Sequence, residues 1–118
     1  MSVEYEPKLL VGWCVRQENI PDFDERYSEE WSDLGELAQE ASELLGKQIW
    51  TDSLCDEEDA WCGDTQMVGV PMFDRELPMD EFKERTKALG ELAVRVYRQV
   101  MQEKPEDGPW LISWTKVS

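Results

Sequence analysis

The sequence predicts an α+β domain in the order β-α-β-β-α-β: a four-stranded antiparallel sheet with two helices on one face, the ferredoxin-like split βαβ pattern. Three observations lead there. Apolar residues alternate with period two near both ends of the chain, they recur at helical spacing in two longer stretches, and two further short runs flank a polar loop as the arms of a hairpin. With 118 residues, 41% of them hydrophobic and six of them tryptophan, residues 1–118 suffice for one core and form a single acidic domain.

The first strand is Lys8–Arg16, with Leu9, Val11, Trp13 and Val15 on one side and Leu10, Gly12 and Cys14 on the other. Residues 17–27, with Asn19, Pro21, Asp22 and Asp24, read as an irregular acidic connection. Ser28 then offers an N-cap. Trp31, Leu34, Leu37, Ala38, Ala41, Leu44 and Leu45 mark one face of a first helix that stops at Gly46. Gln48–Leu54 reads as a second strand and Thr65–Phe73 as a third, with Val68, Val70 and Met72 sharing a face. Pro71 has no N–H to donate and belongs at a strand end or an unpaired position. Pro78 opens a second helix reaching about Glu103, whose buried face is Phe82, Leu89, Leu92, Ala93, Val96, Val100 and Met101. After a turn at 104–109, Trp110–Val117 forms the last strand, with Trp110, Ile112 and Trp114 on one face.

The net charge is −15, from 27 acidic and 12 basic side chains. Its sign disfavours direct contact with nucleic acid or an anionic membrane and makes a basic protein surface the natural complement. Sixteen of the carboxylates fall within residues 18–64, where only Arg26 and Lys47 oppose them. On the first helix Glu29, Asp33, Glu36, Glu40 and Glu43 are spaced four, three, four and three, which makes one acidic stripe with neighbours about 5–6 Å apart. The second helix has compensated charge instead, with Glu81 four before Arg85 and Glu91 four before Arg95. Like charges at helical spacing cost a few tenths of a kcal/mol per pair, so an uncompensated stripe beside a compensated helix marks a face with a use.

The stretch Ser53–Asp64 concentrates Cys55, Cys62, Trp61 and the carboxylates Asp56, Glu57, Glu58 and Asp59. A zinc site is not expected there, because six residues separate the cysteines, histidine is absent from the chain and only Cys14 remains to join them. The spacing also lacks the alternating carboxylates and terminal glutamate of a calcium loop. The first residues have neither the basic region nor the apolar core of a secretion signal, so a cytoplasmic setting with reduced thiols is expected. No cofactor is expected, and no catalytic residue: without histidine the commonest general base is missing, and no phosphate-cradling glycine loop or nucleophile elbow occurs. Trp13, Trp31, Trp110 and Trp114 sit at core positions, Trp50 falls between core and surface, and Trp61 stands alone in a polar loop, where it would fold back onto the core or anchor an interface.

In composition, a small, histidine-free, strongly acidic domain is similar to the phage and mobile-element proteins that disable host nucleases or CRISPR effectors by imitating nucleic acid. The likeness carries over no motif and no residue; it implies an inhibitor of DNA-mimic or anti-CRISPR type. The expectation is a non-enzymatic protein that binds a basic partner, such as a nuclease or another nucleic-acid-binding effector. It would use Glu29, Asp33, Glu36, Glu40 and Glu43, with Asp56, Glu57, Glu58 and Asp59 extending the patch and Trp61 as anchor. The alternative is a regulatory or assembly module that binds a partner through its open sheet face, its acidity serving solubility alone.

Overall fold

The computed structural model describes residues 5–57, 64–72 and 77–117, with side chains between 8 and 114 of these. Four strands, β1 (Tyr5–Arg16), β2 (Cys55–Glu57), β3 (Thr65–Pro71) and β4 (Trp110–Val117), form one antiparallel sheet in the order β2-β3-β1-β4. The helices are α1 (Phe23–Ser28), α2 (Gly35–Leu45), α3 (Thr51–Leu54) and α4 (Met79–Met101), with 3-10 turns at Gln17–Asn19 and Ser32–Leu34. The fold is therefore α+β with an antiparallel sheet. The β-α-β-β-α-β string of the ferredoxin-like pattern is not matched, because three helices and two 3-10 turns replace one helix between β1 and β2.

The core lies between the sheet and α4. Val11 pairs with Val70 and Trp13 with Val68 across β1 and β3, and onto this face α4 lays Leu89, Leu92, Ala93, Val96 and Val100, all buried. Pro71 ends β3, where a missing N–H costs least. Pro78 caps α4. Phe82, expected in the core, is exposed instead, as are all the residues 79–84 that open α4.

The predicted first helix is broken. Ser28 closes α1 rather than capping a long helix, and Glu30 and Trp31 adopt left-handed backbone, with φ of 53° and 56°. Each such residue costs about 1–2 kcal/mol. Turning the chain there buries Trp31, against which Phe23 packs at 5.8 Å between ring centroids. Removing an indole of about 200 Å² from water is worth roughly 5 kcal/mol, so the break wins. Trp31 is thus core, as its spacing indicates, but outside a helix. Residues 17–27 likewise carry a 3-10 turn and α1 rather than an irregular connection.

The predicted strand Gln48–Leu54 is also absent. Ile49 and Leu54 are both buried, yet five residues apart they would point to opposite faces of a strand. One helical turn, α3, seats both, and pairing starts at Cys55, which faces Val68. A hairpin does form with β3, but its first arm is Cys55–Glu57 rather than Gln48–Leu54, and residues 58–63 lie outside the described residues.

Two glycines set the closest backbone approach. Gly12 faces Gly69, and a Cβ on Gly12 would lie 2.0 Å from the Val68 carbonyl oxygen, one on Gly69 2.2 Å from that of Val11. Leu10 lies over both glycines and fills the space their side chains would take.

Candidate interaction surface

The first determinant is where the carboxylates of residues 18–43 stand. Glu18, Asp22, Asp24, Glu25, Glu29, Glu30, Asp33, Glu36, Glu40 and Glu43 are all exposed. The one cation of that segment, Arg26, is turned inward, its side chain 12% exposed. One terminal nitrogen donates to the carbonyls of Pro21 (3.1 Å) and Val100 (2.7 Å), the other to the Gln99 carbonyl (3.1 Å) and Asp33 (2.6 Å). Its guanidinium also lies 5.3 Å from the Trp31 ring. Arg26 thereby caps the last carbonyls of α4, a position that favours a cation, and leaves the surface to the acids.

The five residues of the expected stripe are not on one helix. Glu29 caps the end of α1, Asp33 lies in the 3-10 turn, and only Glu36, Glu40 and Glu43 share α2. Nor is the stripe free of cations, because Asp33 pairs with Arg26 and Glu40 with Arg95 of α4 at 2.8 Å. Asp56 and Glu57 are half-buried on β2. Glu58, Asp59 and Trp61 lie outside the described residues.

Two hydrogen bonds decide how these pieces adjoin. The Tyr27 hydroxyl of α1 donates to Glu57 at 3.3 Å, and the Thr51 hydroxyl at the start of α3 donates to the Glu30 carbonyl at 2.6 Å. The turn after α1 therefore sits against β2 and α3, and the acids of residues 29–30, 52 and 57 belong to one side of the molecule.

Next to them, an open groove of about 420 Å³ runs between α2 and residues 48–51, lined by Ala38, Ser42, Ile49 and Trp50. Ser42 fixes its floor, accepting from the Ile49 N–H at 2.8 Å and donating to the Ala38 carbonyl at 2.8 Å. Trp50 at its edge is 67% exposed.

Sequence reasoning gave no sign of Gln66, the buried polar side chain on β3. Its amide donates to the carbonyls of Cys55 and Asp56 at 3.2 and 3.3 Å and accepts from Gln17 at 2.9 Å. Beside it Cys55 is buried, and desolvation pushes its thiol far above the usual range, opposed only weakly by Arg26. A buried thiol held in its protonated form is a poor nucleophile. Cys14 is exposed. No group of three or more Cys, Asp or Glu placed to hold a metal ion occurs among the described residues. No helix among them is long and apolar enough to cross a membrane.

A second groove, of about 650 Å³, is bordered by Trp13, Tyr97, Glu103, Glu106 and Asp107. Burial first, and then these three carboxylates, raise the Tyr97 hydroxyl above its ordinary value. No family model matches the chain, and neither a curated protein nor a solved structure matches it.

Proposed function

We propose that this protein is a non-enzymatic interaction protein that binds a basic protein surface, of the kind that normally holds nucleic acid, and so acts as an inhibitor. The observation that supports the reading best is the uniform exposure of the ten carboxylates in residues 18–43 together with the withdrawal of Arg26. A face kept only for solubility has no need to hide its own cation. A field of this sign attracts cationic partners over a Debye length and competes for the sites that phosphates occupy. The binding residues are Glu36 and Glu43 of α2, with Glu25, Glu29 and Glu30 beside them; Trp50 supplies the apolar anchor that a stable interface requires.

The test is capture of a partner on the immobilised full chain, followed by affinity measured against salt and against competing DNA or RNA. Binding that falls with salt and with competitor supports the reading; binding indifferent to both sinks it. The doubly reversed variant Glu36→Lys with Glu43→Lys should bind at least roughly tenfold more weakly, a loss of about 1.4 kcal/mol or more. Glu40 is the poorer choice for this purpose, since a lysine there would face Arg95 and disturb the fold as well.

A further inference from the structure

We infer, resting on the acidic-face reading, that the groove between α2 and residues 48–51 takes an arginine side chain presented by the basic partner, with its guanidinium laid on the Trp50 indole. The protein already contains one such arrangement, filled from within: the Arg26 guanidinium lies 5.3 Å from the Trp31 ring and donates to Asp33 at 2.6 Å. Trp13 is engaged as well, by Tyr97 at 4.7 Å between ring centroids. Trp50 differs from both. It borders the groove, and among the described residues neither a ring nor a cation lies against its indole. The π face of an indole attracts a cation held within about 6 Å of it.

Charge selects what comes to that face. Residues 35–54 carry four carboxylates and one cation, Lys47. Glu40 is held by Arg95, which leaves Glu36, Glu43 and Asp52, all exposed. On α2 the groove is lined by Gly35 and Ser42, and Glu36 and Glu43 each follow one of these. Both acids therefore stand about 100° round the helix from that line, on its exposed side. The other bank ends at Thr51, which is hydrogen-bonded to the Glu30 carbonyl and followed by Asp52. Trp110 is exposed too, but residues 108–118 hold no carboxylate, so only at Trp50 do an open indole and uncompensated acids adjoin.

The groove favours a guanidinium over an ammonium. Its floor has the apolar Ala38 and Ile49, and the Ser42 hydroxyl between them is already committed to the Ile49 N–H and the Ala38 carbonyl. A compact, strongly hydrated ammonium would lose water there for little return. A guanidinium is weakly hydrated, stacks by its plane and keeps the donors at its edge for carboxylates, while the aliphatic stem of an arginine covers the floor.

The experiment is calorimetric titration of the full chain with two capped peptides of equal charge, hexa-arginine and hexa-lysine, at low and high salt. The arginine peptide should bind roughly fivefold more tightly. That gap should close in Trp50→Leu, which keeps an apolar side chain without a π face; the position is exposed, so circular dichroism should show an intact fold. Trp50→Tyr should keep part of the gap and Trp110→Leu all of it. Equal affinity for the two peptides, a gap that survives Trp50→Leu, or one that is lost in Trp110→Leu overturns the inference, and the acidic-face reading then stands if binding still falls with salt. Failure of both peptides to bind, or binding that ignores salt, sinks that reading and this inference with it.

Discussion

Arg26 commits both terminal nitrogens of its guanidinium to its own molecule, bridging α1, the 3-10 turn and the end of α4. Replacing it by methionine keeps most of the volume but strands two α4 carbonyls and Asp33, and should cost about 2–4 kcal/mol in urea unfolding. Cys55 provides a pH signature at the same scale. The unfolded chain releases this thiol proton near its ordinary value of 9.0, whereas the folded chain holds it well above that. The stabilisation is therefore complete below pH 9 and declines as pH rises beyond it, at up to about 1.4 kcal/mol per pH unit. Unfolding measured between pH 9 and 10, before Tyr97 contributes, should show this slope in the wild type and lose it in Cys55→Ala.

Among the elements, the β1–β3 junction and the start of α2 respond oppositely to one methyl group. Gly12→Ala drives a Cβ into the Val68 carbonyl and should cost more than about 3 kcal/mol or prevent folding altogether. Gly35 stands in the first turn of α2 in right-handed helical conformation, with open space where a Cβ would point. Gly35→Ala should stabilise by roughly 0.5–1 kcal/mol, read as a rise in melting temperature. The contrast explains what could be read in advance. Val68 and Val70 on β3, Met72 just after it, and Leu89 through Met101 on α4 were legible because period two and period 3.6 pick out their positions, although β3 is in fact buried on both faces from Gln66 to Val70. The break at Glu30–Trp31 was not legible, since the helical spacing continues through it and the gain comes from Phe23 and Arg26, which periodicity does not place. Trp110 was misread for a related reason: alternation assigns it a face but not a place on the edge strand of the sheet.

For the molecule as a whole, charge sets one surface apart. Rising salt should weaken capture of a basic partner on the acidic side, measured as affinity against salt. Of the acidic residues, Glu36 and Glu43 kept the helical neighbourhood their spacing predicts, because α2 spans both. Glu29 and Asp33 lost it when the chain turned to bury Trp31, and Glu40 gained Arg95 from α4, fifty-five positions away. By itself the sequence determined the α+β class, the core faces of β3 and α4, and the charge of −15 with its concentration in residues 18–64, since composition and short-range periodicity are properties of the chain alone. Only the tertiary structure decided that Arg26 turns inward, that Trp50 stands exposed and that β4 ends as an open edge. Each of these depends on which distant element arrives to cover a residue, and local spacing carries no record of that.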